Sequence, residues 1–137
     1  MPGATFTPDL YQCVISINGG ANVDRMLKSE RRQYGKNHWV VSYWQDVISS
    51  GEVKEDHLKA ISPLNHVAKI QAPVLLIHGE YDDVVPLRQS EDLFEKMKDA
   101  GKNVQFVELE KGNHHLSSSK NCMKAMKAID NFVKKHI

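Results

Sequence analysis

Pro73-Val-Leu-Leu-Ile-His-Gly-Glu-Tyr-Asp-Asp-Val-Val-Pro86 is the stretch that decides the fold of this chain. Its unbroken apolar run, Val74 to Ile77, predicts a strand buried on both faces, as in a parallel sheet. Gly79 ends that strand, and Asp82 and Asp83 follow in the loop at its carboxyl end. Because the chemistry of open α/β sheets lies at the carboxyl ends of their strands, an acid there is a candidate site residue.

Strands and helices alternate on both sides of this stretch. Asn22 is a plausible N-cap, Pro86 is suited to the first turn of a helix, and the residues before Thr7 are too few for an element. Residues 52–70 are polar and irregular in pattern. The predicted elements are a strand at 13–17, helices at 22–34 and within 39–50, the strand at 74–77, a helix from 86 to about 100, a strand at 103–109 and a helix at 121–137. This order predicts one α/β domain, a parallel three-stranded sheet with helices on both faces.

The composition gives no function of its own. Of 137 residues, 41% are hydrophobic, and 18 Lys and Arg nearly balance 17 Asp and Glu, so no charge excess favours nucleic acid or an anionic membrane. The sequence has no membrane-length apolar run and no signal-peptide pattern, so a cytoplasmic location is the default expectation. Two cysteines, Cys13 and Cys122, are too few for a disulfide scaffold.

Two candidate site residues follow consecutive strands. Asp82 follows the central strand, and His114 follows the strand at 103–109. In a parallel sheet both loops emerge at the same edge, close together if the strands are neighbours. An acid that orients an imidazole general base is the acid–base half of a Ser-His-Asp triad. The order acid-then-histidine fits the α/β-hydrolase arrangement, in which the nucleophile comes first.

Several motifs together resemble one family of enzymes. They are His78-Gly-Glu-Tyr-Asp82-Asp83-Val-Val-Pro86, Gln89-Ser90, Gly112-Asn-His114, Thr7-Pro8-Asp9-Leu-Tyr11, Ser16-Ile-Asn-Gly19 and Ile61-Ser-Pro63. Because these motifs are spread over its length, the whole chain resembles the catalytic domain of the prolyl oligopeptidase family of serine peptidases. This family includes dipeptidyl and acylaminoacyl peptidases. The resemblance implies a partial α/β-hydrolase fold, peptide substrates for the full-length protein and no cofactor.

The resemblance also implies roles for individual residues. The first acid of the pair, Asp82, maps to the triad acid, and Asp83 to a neighbour that shapes the loop. The histidine after the glycine and one polar residue, His114, maps to the base in preference to His115, although both could reach the site.

The nucleophile is where this sequence departs from the family. It should lie in a Gly-x-Ser-x-Gly elbow, yet no two glycines here are four positions apart. The segment Gly3-Ala-Thr-Phe-Thr-Pro8 resembles the end of the helix that follows the elbow. We therefore expect residues 1–137 to be the C-terminal part of a peptidase domain, without the nucleophile elbow and preceding strands, and inactive alone.

Four alternatives remain beside this interpretation. His114 and His115 could bind a metal with His78 or Cys122, but no pair has a recognised zinc spacing. The substrate could be an ester instead of a peptide. The chain could be a non-catalytic remnant that self-associates through the open sheet edge at the strand of residues 13–17. Aromatic residues between the first two strands could line a substrate pocket or only pack onto the sheet; they are Trp39, Tyr43 and Trp44.

Overall fold

A computed structural model describes residues 1–49 and 54–137 of the chain. Its three strands are β1 (Val14–Ile17), β2 (Val74–Gly79) and β3 (Val104–Leu109). The α-helices of the described ranges are α1 (Pro2–Phe6), α2 (Val23–Tyr34), α3 (Trp39–Ser49), α4 (Glu55–Ile61), α5 (Arg88–Asp99) and α6 (Ser119–His136). Two 3₁₀ segments span Pro8–Leu10 and Pro63–Lys69.

The strands form one parallel sheet in the order β1-β2-β3. Val14 pairs with Val74, which pairs with Val104, so the amino ends of the strands are level. All six residues of β2 are buried, as its apolar composition predicts for a strand covered on both faces. The loops after all three strands consequently emerge along one edge of the sheet.

Two apolar clusters cover the two faces of the sheet, because successive side chains of β2 point to opposite sides. Val74 and Leu76 pack with residues of α1, α5 and the Pro63–Lys69 segment. Leu75 and Ile77 pack with Leu109 and with α6. The predicted parallel sheet with helices on both faces is confirmed.

Most predicted elements lie within two residues of their observed bounds. Helix α2 begins after Asn22, whose side chain accepts a hydrogen bond from the Arg25 N–H, and Gly35 follows its last residue. The helix predicted from Pro86 instead begins at Arg88, because the Pro86 carbonyl accepts the Gln89 N–H within a separate turn.

Two predictions of irregular structure are wrong. Within 52–70, the described residues form α4 and the Pro63–Lys69 segment, which bury Leu58, Leu64 and Val67 despite their polar neighbours. Residues 50–53 lie outside the described ranges. The residues before Thr7 form the five-residue helix α1, which packs on the Pro63–Lys69 segment.

We predict that Gly79→Ala destabilises the fold by roughly 1–3 kcal/mol through overpacking. A Cβ at Gly79 would lie 2.5 Å from the Gly112 carbonyl oxygen, a backbone atom of the loop after β3. The matched control is Gly20→Ala, where a Cβ would meet nothing within 4 Å. Urea unfolding of both variants checks this, and equal losses of stability would contradict it.

Candidate active site

The carboxyl group of Asp82 is held in the turn that follows β2. Its Oδ1 accepts hydrogen bonds from the backbone N–H groups of Val84 and Val85, at 2.9 and 2.7 Å. Aspartate favours this local arrangement, in which a side chain caps the N–H groups of the residues that follow it. The Asp82 side chain is fully buried. These contacts fix the carboxyl group and leave its second oxygen, Oδ2, directed at the neighbouring loop.

His114 lies in the loop after β3 and meets this second oxygen. The distance between His114 Nδ1 and Asp82 Oδ2 is 2.8 Å, and 28% of the histidine side chain is exposed. Because a carboxylate can only accept hydrogen bonds, Nδ1 carries the proton. The neutral ring therefore has its free lone pair on Nε2, which bonds to no other described residue. This geometry suits a general base.

Asp83 and His115, the sequence neighbours of Asp82 and His114, take no part in this hydrogen bond. Asp83 is exposed. His115 is also exposed, and its ring packs edge-on against the His114 ring with centroids 5.5 Å apart. The structure thus brings together Asp82 and His114, the pair preferred from the sequence. Their catalytic roles stay a prediction.

A buried histidine, His78, which the sequence placed in the family motif and offered as a possible metal ligand, packs beneath Asp82. His78 Nε2 is 2.8 Å from the Val85 carbonyl and 3.4 Å from Asp82 Oδ2, and its Nδ1 is 2.7 Å from Ser90 Oγ. Because a carbonyl only accepts, Nε2 donates, and in the neutral ring Nδ1 accepts from the Ser90 hydroxyl. Both ring nitrogens are thus occupied, which leaves neither free for a metal ion.

Asn18, at the end of β1, is a further site residue that sequence reasoning missed. Its Oδ1 accepts the Gly79 N–H at 2.9 Å, and its Nδ2 donates to the His114 carbonyl at 2.7 Å. Asn18 has a φ of 49°, a left-handed conformation that asparagine tolerates better than most residues. An asparagine before two glycines, directly after a strand, was the sequence feature that could have indicated it.

A cavity of about 460 Å³ opens beside His114. This volume lies within the range of small-molecule sites. Of the three aromatic residues considered from the sequence, Trp44 lines the cavity, whereas Trp39 and Tyr43 are exposed and do not. The residues that line it are Gly20, Asn22, Val23, Met26, Leu27, Glu30, Trp44, Ile48, Ile61, Val84, Val85 and His114.

The fold and this acid–histidine pair can now be compared with known proteins. The sequence profile of the prolyl oligopeptidase family matches residues 1–137, which is the whole chain. The chain belongs to the prolyl oligopeptidase family. This membership confirms the resemblance drawn from the motifs around Asp82 and His114.

Individual relatives agree with the family assignment. The chain is 41% identical over 56 residues to the uncharacterized peptidase YuxL of Bacillus subtilis, a match that covers 41% of the chain and 8% of that protein. It is 26% identical over 111 residues to dipeptidyl aminopeptidase BIII of Pseudoxanthomonas mexicana, covering 78% of the chain and 15% of that protein.

A solved structure shows the same architecture. The acylaminoacyl peptidase of Pyrococcus horikoshii matches with a TM-score of 0.78 and 29% identity, over 97% of this chain and 21% of its own. With the parallel sheet, this likeness identifies the architecture as part of an α/β-hydrolase fold. The chain spans only a small part of the length of each of these three relatives. The family assignment points to a peptidase or related hydrolase.

No helix in residues 1–49 and 54–137 has the length and apolar character needed to cross a membrane. Within the same ranges, no three His, Cys, Asp or Glu side chains are grouped so that they could hold a metal ion.

We predict that His78→Ala lowers the free energy of unfolding by about 3 kcal/mol. The change leaves the Ser90 hydroxyl and the Val85 carbonyl without their partner and opens a cavity beneath Asp82. The control is His115→Ala, an exposed histidine of the neighbouring loop, which should change stability by less than about 0.5 kcal/mol. Urea unfolding measures both, and a His78 variant as stable as the control would contradict the supporting role.

Proposed function

We propose that this chain supplies the acid and the base of a serine peptidase, with Asp82 orienting His114. The observation that carries the proposal is the 2.8 Å hydrogen bond between Asp82 Oδ2 and His114 Nδ1, at the edge of a cavity that His114 lines. The acid holds the imidazole in the tautomer whose Nε2 can take a proton. It also stabilises the imidazolium that forms afterwards.

The proposed proton transfers follow from this tautomer. A serine hydroxyl attacks the peptide carbonyl and gives its proton to His114 Nε2, while the carbonyl oxygen takes the negative charge. When the C–N bond breaks, Nε2 returns the proton to the leaving amine and an acyl-enzyme remains. Water then attacks the acyl group and gives a proton to Nε2. When the C–O bond to the serine breaks, Nε2 returns that proton to the serine oxygen, so the acid is released and the serine hydroxyl and neutral imidazole are restored.

We place the attacking serine outside these 137 residues. No Gly-x-Ser-x-Gly elbow occurs in them. Ser90 does not substitute for it, because Ser90 is buried and its hydroxyl is engaged with His78. Residues 1–137 would thus be the C-terminal part of a peptidase domain, and the chain alone should not hydrolyse peptides, since covalent catalysis needs the nucleophile.

Incubation with a fluorophosphonate probe tests this proposal. We expect no covalent labelling of the chain and no turnover of aminoacyl amides or esters, whereas an active serine peptidase under the same conditions is labelled. Labelling of any serine in this chain would show that the nucleophile lies within it and would contradict the proposal. The genomic sequence directly before Met1 gives a second test, and we expect an in-frame Gly-x-Ser-x-Gly there.

We further propose that the chain self-associates through the outer edge of β1. Within the described residues, β1 pairs only with β2, so its second edge has unpaired backbone groups. Edge strands are commonly protected by charged side chains. The other edge strand, β3, has Glu108, while β1 is Val-Ile-Ser-Ile, with no charge and with Ile17 exposed. Such an edge favours pairing with a second copy.

Size-exclusion chromatography at micromolar concentration tests the β1 edge. We expect the wild-type chain to elute as more than a monomer and Ile17→Lys to shift it toward the monomer, because a charge on an edge strand opposes pairing. The matched control is Gln105→Lys, an exposed position of β3, which should leave the elution unchanged. Strictly monomeric elution of the wild type would contradict the proposal.

A further inference from the structure

One wall of the cavity beside His114 is a single face of α2. The helix residues that line the cavity are Val23, Met26, Leu27 and Glu30. Their spacing of i, i+3, i+4 and i+7 is that of one helix stripe. Three of them are apolar, and so are Trp44, Ile48 and Ile61 on the facing segments. Glu30 is therefore the ionisable residue of an otherwise apolar stripe that lines the cavity.

One oxygen of the Glu30 carboxyl group is buried without a hydrogen-bond partner among the described residues. The residue is only 7% exposed, and its Oε2 is buried without a hydrogen bond to any described residue. Burial raises the pKa of the carboxyl group, and the charge of nearby His38 opposes this shift only in part. Burying an unpaired carboxylate costs stability, so native proteins rarely leave one unsatisfied. A cation or hydrogen-bond donor that entered the cavity and reached this oxygen would remove the cost.

The length of the cavity wall along α2 favours a long partner. Glu30 is eight residues after Asn22, which lines the same cavity at the start of α2, and eight residues of helix rise about 12 Å. A short side chain that enters beside Asn22 would end among Val23, Met26 and Leu27. A long one can place an apolar stem along them and its end group near the carboxyl oxygen.

We infer that this cavity is a substrate subsite that selects a long, unbranched side chain ending in a cation, such as lysine or arginine. The apolar stripe and Trp44 contact the methylene stem, and Glu30 accepts hydrogen bonds from the ammonium or guanidinium group. The inference rests on the proposed function, because it is His114 that makes the cavity part of a reaction site. It names a residue and a class of side chain that the acid–base pair does not define.

Binding of two matched small molecules to the intact chain tests the inference. N-acetyl-lysine amide and N-acetyl-norleucine amide have the same stem and differ at the terminal amine. We expect the lysine compound to bind at least about tenfold more tightly in an NMR titration near pH 7, since a hydrogen bond to a charged group stabilises a complex more than one between neutral groups. Glu30→Gln should abolish this preference and leave the norleucine affinity within about twofold.

The control for general electrostatic attraction is Asp24→Asn. Asp24 lies on the same helix but pairs with Lys28 and is not part of the cavity wall, so its loss should leave the preference intact. Equal affinities for the two compounds in the wild type, no binding of the lysine compound at millimolar concentration, or a preference that survives in Glu30→Gln would each overturn the inference. None of these results bears on where the nucleophile lies, which the fluorophosphonate experiment tests separately.

Thermal unfolding of Glu30→Gln gives an independent readout. The folded state holds the Glu30 proton more tightly than the unfolded state. Its stability therefore falls as the pH rises from about 4.3, the ordinary pKa of glutamate, through the raised value. We expect Glu30→Gln to have the higher Tm at pH 7 and the difference to close below about pH 4. A lower Tm at pH 7 would mean that the carboxylate is stabilised within the fold, and would overturn the inference.

Measurements at acid pH separate the effect of the Glu30 carboxyl group on stability from the effects of other titratable groups. The titratable groups that face it or its cavity are His38 and His114, and the other described lining residues are uncharged. Glu30→Gln removes one titratable group and leaves both histidines in place, so the comparison of the two proteins reports on the Glu30 carboxyl group. A difference that closes only around pH 4 is therefore due to the glutamate.

Discussion

The side-chain amide of Asn18 joins the carboxyl ends of all three strands. Asn18 directly follows β1, accepts the N–H of Gly79 at the end of β2, and donates to the carbonyl of His114 in the loop after β3. An amide is suited to this position because one end accepts and the other donates. The acid loop and the histidine loop are thus held to the same side chain, and the parallel register alone would not fix the distance between them.

The same junction is closed by direct backbone contact. The carbonyl of Gly112 accepts the Tyr81 N–H at 2.8 Å, and it approaches Gly79 so closely that no Cβ would fit there. The missing side chain at Gly79 lets the end of β2 touch the loop after β3, and the side chains of Asp82 and His114 meet beside that contact. The distance between Asp82 and His114 is therefore set by this backbone contact together with the Asn18 amide.

Features that depend on local periodicity could be predicted from the sequence. The apolar run of β2 predicts a fully buried central strand. The positions of Asp82 and His114, each after one of two parallel strands, predict that the two side chains lie at the same edge of the sheet. Other features depend on single polar residues whose partners are far along the chain. Gln89, at 1% exposure, bonds to the backbone of Ala21 and Asn22, and the Asn18 amide reaches a partner 96 residues away. No periodicity indicates such contacts, because their partners are defined only once the sheet has formed.

Every hydrogen bond that holds the acid and the histidine comes from the strand ends and loops of this chain. The backbone of Val84 and Val85 holds one oxygen of Asp82, and His78 lies beneath the other. The imidazole of His114, which we propose as the general base, is thus preorganised by contacts within these 137 residues, and preorganised polar groups of this kind are what an active site needs before the reacting groups arrive. A segment that brought a serine to His114 would meet a base already in its working tautomer.

His78 and Glu30 are both buried polar residues, but only His78 has a partner for each of its polar side-chain atoms within the described part of the chain. Both interrupt apolar sequence, one within β2 and the other on the stripe of α2. Each nitrogen of His78 is paired inside the protein, so its burial is explained by the support it gives to Ser90, Val85 and Asp82. Glu30 has an unpaired oxygen at a position where leucine or methionine would pack at lower cost. A buried polar group that has no partner inside the fold is most often found at a functional site, and the cavity beside Glu30 has room for a ligand that would be its partner.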